Sequence, residues 1–557
     1  MTKGIRVTYR GLRRAAFSYL LVPLLLFLIF YLKPVFAVPA AGITLAAWAL
    51  ACFGKADSRR EKPLYCAWYE LLLVLALAVA WVYFAGFGNF FYQVKDWNER
   101  NAVFRDLIRY DWPVYYTRTE TVLTYYVGHW LPSALIGKIV YKSTLSLDTA
   151  WQVGNWALTV WSALGIVLTV LLLFKAVQAD TFGKRCASVL LMVAFSGLDV
   201  IGALLKGWDW NGFMARLHLE WWDVVSGYQF SSNTTCLFWS FNQTIPLWLA
   251  TLCFVNENKG GIRAGNYGFI AICALICGPL PDVGLVLMMA YAIVYAAVKQ
   301  LRKRQFKAWL RDVFSFGNLA MALCVFPFVG LYLMANMAYD STPGTAVGPA
   351  FSPLVGVCLA LSLGALALAL GSREASRRKT GAFLAVNFAI LAAALFLRAG
   401  YSSEYPLFLL LEVGVYFLLL FLYGKTNYLY YAAGLVLALS PLFRVGLGGD
   451  FCRRASIPGL LVLLVLCLRF LFTGTMQKRH ALPLFICKMV LITALIIGAC
   501  TPAMEFYRGF AEYENRGTAD TIYTLNKRHT SGGLYGNFVS ADWENSFFFT
   551  HLSSLKH

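Results

Sequence analysis

Two long apolar stretches near the start of the chain decide its fold class. Residues 17–32 read FSYLLVPLLLFLIFYL, and after Lys33-Pro34 residues 35–53 read VFAVPAAGITLAAWALACF. A basic segment precedes the first stretch and no small-residue cleavage pattern follows it, so we interpret it as a retained span with a cytoplasmic N-terminus. Apolar stretches recur along the chain, and we expect about fifteen spans. The sequence therefore predicts an all-α fold, a polytopic bundle of transmembrane helices.

The composition agrees with a membrane protein. The 557 residues are 59% hydrophobic and 14% charged, with a mean hydropathy of +0.62, which lies outside the range of soluble domains. The net charge is +20, but the basic residues gather in short loops between apolar stretches, a pattern that reports topology and not nucleic-acid binding. The 13 cysteines are scattered without nearby histidines. We therefore expect free thiols and no bound metal there.

Short loops with clustered Lys and Arg should face the cytoplasm. These clusters lie at residues 55–62, 184–185, 259–263, 302–307, 373–379 and 478–479. Between the first two clusters one span must run outward, roughly Trp68 to Gly86, and one must return, roughly Ala150 to Phe174. Residues 87–149 between them are therefore an outer loop. Its apolar part, Val122 to Val140, should be a juxtamembrane or re-entrant helix, because a full crossing would place Lys184 outside.

These boundaries divide the chain into three parts. Residues 1–63 hold the basic N-terminal segment and two spans, and residues 64–502 form the main transmembrane domain with outer loops at 87–149 and 206–235. Residues 503–557 form a short extracytoplasmic tail that is too small for a large soluble domain but could cap the outer face.

The first outer loop carries the densest cluster of charges outside the cytoplasmic loops. Residues 91–120 read FYQVKDWNERNAVFRDLIRYDWPVYYTRTE, and the spacing from Asp96 to Arg109 predicts an amphipathic helix. A solvated surface helix with internal ion pairs is one interpretation. The other is a functional carboxylate, because Asp96 follows the preceding span closely and would lie at the membrane surface, where a lipid-linked substrate is within reach.

The second outer loop combines aromatic and hydrogen-bonding side chains. Residues 207–248 read GWDWNGFMARLHLEWWDVVSGYQFSSNTTCLFWSFNQTIPLW, with Arg216, His218, Glu220 and Asp223 among six Trp. Such a mixture suits carbohydrate binding, and an interfacial aromatic belt is the alternative.

The third candidate is a short outer turn, residues 444–458, which reads RVGLGGDFCRRASIP. Two adjacent arginines on the outer side run against the positive-inside tendency, and a phosphate would offset that cost because guanidinium donates two parallel hydrogen bonds to it. An internal Arg–Asp pair is the alternative. In a fourth short turn, GPLPD at residues 278–282, Asp282 is expected to cap a helix that begins at Val283.

At these motifs the sequence resembles the GT-C superfamily of integral membrane glycosyltransferases, which pass a sugar from a polyprenyl-phosphate carrier to an acceptor outside the cytoplasm. Members have an acidic residue in the first large outer loop just after a span, then juxtamembrane helices, then the returning span. More narrowly, the chain looks like uncharacterised bacterial members. That likeness covers most of the chain beyond the first two spans and lies in DWxxxNA at 96–102, WPV at 112–114, EWW at 220–222, NQxIP at 242–246 and DFxxRxSIP at 450–458. Two features depart from the usual pattern, namely the two extra spans at the start and the absence of a paired DxD or DE.

The resemblance implies a glycosyltransferase of the bacterial inner or plasma membrane that acts in cell-envelope glycan biosynthesis, with an extracytoplasmic active site. Asp96 would be the general base of an inverting transfer, with Glu99 as the nearest second carboxylate. Arg453, Arg454 and Arg444 would bind the donor phosphate. The residues that would contact sugar or acceptor are Arg216, His218, Glu220, Trp221, Trp222, Asn242, Gln243 and Asp450. The partners would be a polyprenyl-phosphate-sugar donor, a glycan, lipid or protein acceptor, and membrane lipids. No metal ligand is assigned and no cofactor is certain, while a divalent ion, Mg²⁺ or Mn²⁺, stays open.

Two other functions fit parts of the pattern. A polysaccharide polymerase or ligase also uses a lipid-linked donor and outer-face arginines, but it would place its main signal in one large late loop. A transporter or flippase of lipid-linked glycans predicts ionisable residues deep within the spans, where Asp199 and Glu412 are the main examples. A structural scaffold would not need the outer charge clusters.

Overall fold

The computed structural model describes residues 4–54, 63–220, 227–302, 305–336, 349–398, 401, 403–443, 445, 449–473, 481–515, 523–527 and 535–556. Most of these residues are helical. The helices in chain order are α1 (Tyr9–Tyr31), α2 (Pro34–Phe53), α3 (Trp68–Phe84), α4 (Trp97–Arg109), α5 (Leu131–Thr144), α6 (Leu147–Val177), α7 (Phe182–Ala194), α8 (Asp199–Leu205), α9 (Trp210–Arg216), α10 (Asn233–Glu257), α11 (Tyr267–Leu275), α12 (Pro279–Arg302), α13 (Phe306–Val313), α14 (Phe316–Met334), α15 (Pro353–Gly371), α16 (Ala375–Leu397), α17 (Tyr405–Gly424), α18 (Tyr428–Leu439), α19 (Asp450–Ala455), α20 (Ile457–Phe472), α21 (Ala481–Gly498) and α22 (Cys500–Ala511).

The described residues contain ten helical segments long and apolar enough to cross a membrane, or eleven if α7 and α8, which meet at a bend of 41°, form one broken span. Two shorter apolar helices, α3 and Tyr428–Leu442, are further candidates. The chain therefore has the helical, multi-pass architecture that the sequence predicts. The finer count of about fifteen spans stays a prediction.

The centre of the bundle is α10, which is buried along almost its whole length and packs against α1, α6 and α20. Its backbone leaves helical geometry at Ser240 (φ −151°, ψ 40°), a few residues before Pro246. The hydroxyls of Ser240 and Thr244 both donate to the carbonyl of Cys236, each at 3.0 Å. Side chains thus replace backbone hydrogen bonds at the break, as they must in a buried helix.

Two small sheets lie at opposite ends of the chain's helical body. Strands β1 (Ile5–Val7) and β2 (Leu64–Cys66) pair near the N-terminus. Strands β3 (Tyr115–Tyr116), β4 (Thr121–Leu123) and β5 (Val539–Ser540) form an antiparallel sheet in the order β3-β4-β5. The second sheet joins the first outer loop to the C-terminal tail, so the tail covers that loop.

The tail continues from this sheet to the turn between α1 and α2. The amide of Lys33 donates to the carbonyl of Leu552 at 2.9 Å, and the amide of Ser554 donates to the carbonyl of Tyr31 at 3.0 Å. The expected outer loop, the expected outer tail and the α1–α2 turn therefore lie at one end of the bundle.

Two sequence expectations about local structure were wrong. The segment expected to be helical from Val122 begins as strand β4, because it pairs with the tail, and helix α5 begins only at Leu131. Asp282 does not cap a helix starting at Val283: α12 already begins at Pro279, since proline is preorganised for the first turn of a helix.

Candidate functional site

Helix α4 confirms the predicted helix over residues 97–109, but it is not a solvated surface helix. All its residues except Arg109 are buried, including the carboxylates of Glu99 and Asp106. Trp97 anchors its start: the indole nitrogen donates to the Phe238 carbonyl at 2.9 Å and the ring stacks on Phe241 at 4.7 Å. The first turn of α4 therefore lies against the central helix α10.

Asp96 lies just before α4, with its side chain 38% exposed, and ion-pairs with Arg100 at 3.4 Å. The Arg100 side chain is only 5% exposed, and within the described residues its Nε and Nη1 atoms have no hydrogen-bond partner. A buried guanidinium with two free donors is costly unless an acceptor arrives. The Asp96–Arg100 pair therefore combines a partly exposed carboxylate with a buried guanidinium, two atoms of which lack a described partner.

The outer turn that carries the two arginines meets the same region through Tyr125 and Tyr126. Arg100, Arg454 and Asp450 all lie close enough to Tyr125 to act on its hydroxyl electrostatically. Burial raises the pKa of Tyr125, and the two arginines oppose that rise. Tyr126 likewise lies within range of Asp450 and Arg454. Arg100 of α4 and the 450–454 segment, far apart in the chain, therefore both lie near Tyr125.

Helix α19 holds the second charge cluster in place. Arg453 Nη1 lies 3.6 Å from Asp450 Oδ1, so the internal Arg–Asp pair exists, but in a loose and partly exposed form. The carbonyl of Ala455 lies close against Gly284 of α12, where an added Cβ would fall 2.1 Å from that oxygen. Only glycine permits this approach, which fixes α19 against the start of α12.

Glu220 is buried, and its carboxylate already has two protein partners. Oε1 accepts from the amide of Ser232 at 2.8 Å, and Oε2 accepts from the side chain of Gln229. Cys452 Sγ in turn bonds to the Gln229 carbonyl at 3.4 Å. Glu220 therefore holds residues 229–232, just before α10, beside α19, and its carboxylate is less available to a sugar than the sequence suggested.

His218 pairs with Glu505 of α22, with Nδ1 and Oε1 2.7 Å apart. The other Glu505 oxygen accepts from Trp239 Nε1 at 3.1 Å and from Arg508. Burial alone would lower the pKa of His218, but the charge and hydrogen bond of Glu505 raise it overall. His218 is thus engaged with α22, a partner that the sequence did not indicate.

Asn242 and Gln243 follow the break in α10 and lie deeper in the bundle. Within the described residues, neither amide atom of Asn242 has a partner, nor does Gln243 Oε1, although both side chains are buried. Asp282 Oδ1, on the neighbouring start of α12, is also buried without a partner. Buried polar atoms usually find a partner in protein, water or ligand, so these atoms are candidates for contacts with water or a ligand.

Two buried acidic side chains, Asp199 of α8 and Glu412 of α17, interact with each other. Oδ2 of Asp199 accepts from Thr501 at 3.0 Å. Glu412 lies in a π-helical turn, residues 410–414, of α17. Gly197 allows α17 to approach closely, since an added Cβ would lie 1.9 Å from Glu412 Oε2.

Asp106 joins α4 to the tail. It accepts from Thr524 Oγ1 at 2.6 Å, from the Leu525 amide at 2.9 Å and from the Tyr116 hydroxyl at 3.0 Å. Burial raises the pKa of Asp106 to about 6, although these three donors and Arg105 lower it. Asp106 is therefore a structural anchor of the tail.

The remaining candidate residues cannot be placed in this site. Trp221, Trp222 and Arg444 lie outside the described residues, as does the side chain of Arg216. Within the described residues no group of three or more His, Cys, Asp or Glu side chains could hold a metal ion. The chain matches no protein-family model, no curated protein and no solved structure.

The sequence did not single out Tyr125 and Tyr126, which lie near the arginines, or Glu505, which pairs with His218. The tyrosine pair directly follows strand β4, and the cue available was two adjacent aromatic hydroxyls before the juxtamembrane helix. Glu505 had a weaker cue, a glutamate isolated just past an apolar stretch.

Proposed function

We propose that the protein is a membrane glycosyltransferase that moves a sugar from a polyprenyl-phosphate donor to an acceptor at the extracytoplasmic face, with inversion. The observation that carries this proposal is the Asp96–Arg100 ion pair at 3.4 Å, whose arginine lies near Tyr125 together with Arg454 and Asp450. A carboxylate beside a cluster of guanidinium groups is what a displacement at a sugar phosphate requires.

In the proposed reaction the Asp96 carboxylate takes the proton of an acceptor hydroxyl, and the resulting oxygen attacks the anomeric carbon of the donor sugar. The bond between that carbon and the phosphate oxygen breaks, and its electron pair stays on the phosphate. Arg454 and Arg453 would neutralise the charge that the phosphate gains. Arg100 has two buried donors without a described partner and could bind the same phosphate or the acceptor.

Asn242 and Gln243 would bind hydroxyl groups deeper in the site, because their amides are buried without described partners. Glu220 would act indirectly, since it holds the loop that packs on α19.

The test is transfer of radiolabelled sugar from a panel of polyprenyl-phosphate donors by the purified protein. Asp96→Asn should lower the rate by about a hundredfold or more, the usual contribution of a general base. Asp111→Asn is the matched control, because Asp111 lies in the same loop, is 81% exposed and pairs only loosely with Lys142 at 3.7 Å. If a folded Asp96→Asn protein transferred sugar at the normal rate, Asp96 would not be the general base.

A second candidate function is transport of a lipid-linked glycan, and the Asp199–Glu412 pair favours it. Buried acidic residues within spans, a broken span and a π-helical turn are common in proteins that move ions or substrates. Liposomes containing the protein distinguish the two functions. Movement of labelled donor across the bilayer without sugar transfer, abolished by Asp199→Asn, would overturn the glycosyltransferase proposal.

A further inference from the structure

A polar cavity lies at the end of the bundle opposite the candidate site. It has a volume of about 480 Å³ and lies where α6 ends, α10 ends, α17 meets α18 and α20 ends. The basic clusters at 184–185 and 259–263 border it, so it faces the side that the positive-inside rule assigns to the cytoplasm.

Three cations line this cavity, Lys184, Lys259 and Arg469, against a single described carboxylate, Asp180. Lys184 ion-pairs with Asp180 at 2.6 Å, and its hydrogen bond holds the pKa of Asp180 below its usual range. Asp180 is 63% exposed, so the pair is weak and solvated. These three cations and one carboxylate give the lining a net charge of about +2.

Arg469 is the group that most needs an anion. Its Nε donates to the carbonyl of Ala176 at 3.0 Å, and no carboxylate in the described part of the chain ion-pairs with it. It lies at the end of an apolar span, where an arginine without a counter-ion is costly. Lys259 sits beside it, with Nζ 2.7 Å from the Lys175 carbonyl.

The hydroxyl of Tyr428, near Arg469, is another polar group without a described hydrogen-bond partner. Tyr428 lines the cavity and lies within electrostatic range of Arg469. Its hydroxyl is buried and has no hydrogen-bond partner among the described residues. A phosphate oxygen would accept from both the phenol and the guanidinium.

We propose that this cavity binds a phosphate group, either the headgroup of an anionic phospholipid or a soluble phosphate compound. Basic pockets between transmembrane helices on the cytoplasmic side suit such groups, because arginine makes bidentate bonds to phosphate while lysine supplies charge. The site is separate from the proposed catalytic centre, and its existence does not depend on the proposed function.

The test measures binding to the purified full-length chain with two probes. The first is phosphatidylglycerol, added to lipid-depleted protein and compared with phosphatidylcholine by native mass spectrometry. The second is inorganic phosphate, followed by thermal stability in detergent without lipid. We expect one of the two to bind, with Arg469→Gln weakening it by about tenfold or more, the effect of losing one or two charge-assisted hydrogen bonds.

Two further variants keep the test decisive. Lys259→Gln should also weaken binding of the same probe. It serves as the test variant if the Arg469→Gln protein does not fold. Arg311→Gln removes an exposed charge outside the cavity, in α13, and should leave binding unchanged.

Binding of phosphatidylglycerol alone assigns a lipid headgroup, and binding of inorganic phosphate assigns a soluble ligand. Equal binding of the two lipids with no response to phosphate would overturn the proposal. Equal losses in the cavity variants and Arg311→Gln would also overturn it, because they would show only non-specific charge attraction.

Discussion

The anchoring of the C-terminal tail by Asp106 should depend on pH. The folded pKa of about 6 lies above the ordinary value of 3.8 because burial disfavours the carboxylate. When the segment at residues 523–527 opens, Asp106 meets water and returns to its ordinary pKa. The closed state therefore holds its proton more tightly than the open state, and the attachment is strongest below about pH 4 and weakens as the pH rises through about 6.

The size of this effect follows from the shift. Two pKa units correspond to about 3 kcal/mol, or roughly a hundredfold in the opening equilibrium, as an upper limit for one buried group. Hydrogen exchange of residues 523–527 in the full chain, corrected for the intrinsic pH dependence of exchange, measures that equilibrium. We expect protection to fall by up to this factor between pH 4 and pH 7.

Asp106→Asn should remove most of this pH dependence because an amide does not titrate. Asp111→Asn is the control and should keep it, since Asp111 is exposed on the same loop. If the Asp106→Asn protein showed the same loss of protection with pH as the unaltered chain, Asp106 would not be the titrating anchor.

Two other perturbations test contacts around the site. Gly197→Ala should destabilise the protein by about 1–3 kcal/mol, because its Cβ would collide with buried Glu412. Gly183→Ala is the control: its Cβ meets open space, so the melting temperature should not change. Equal melting temperatures for the two variants would refute the close contact. The His218–Glu505 pair raises the histidine pKa, so its stabilisation is fully present below about pH 6.5 and is lost as the pH rises through the folded value. His218→Gln should therefore lower thermal stability at pH 6 more than at pH 9, and an equal loss at both would show that the pair does not titrate.

Much of the bundle could be predicted from sequence because spans and amphipathic helices leave local signals. The first two helices and the amphipathic helix predicted from Asp96 to Arg109 both appear in the hydrophobic pattern, whereas the break between α7 and α8 does not. The pattern could not reveal what covers each polar face. Helix α4 was compatible with a surface helix because its own residues do not show that α5, α6 and the tail around Thr524 pack over it.

The same limit applies to the candidate site. The sequence selected the charged motifs, but not which of their members would find partners. Glu220 looked available and is engaged by Gln229 and Ser232, while Arg100 looked like one charge in a surface network and is buried beside Asp96. Side-chain satisfaction depends on long-range packing, which residue types alone do not encode.

The two ends of the bundle pose one physical problem in different forms. Buried Arg100 has two atoms, Nε and Nη1, without a described hydrogen-bond partner, and partly buried Arg469 forms no ion pair with a described carboxylate. Folding does not favour such an arrangement for its own sake, because an apolar residue of similar size would avoid the desolvation cost. The cost is offset only when an anion binds. If Arg100 were structural, Arg100→Met would destabilise the protein; a protein of unchanged or raised stability that has lost sugar transfer would instead identify Arg100 as a ligand-binding residue.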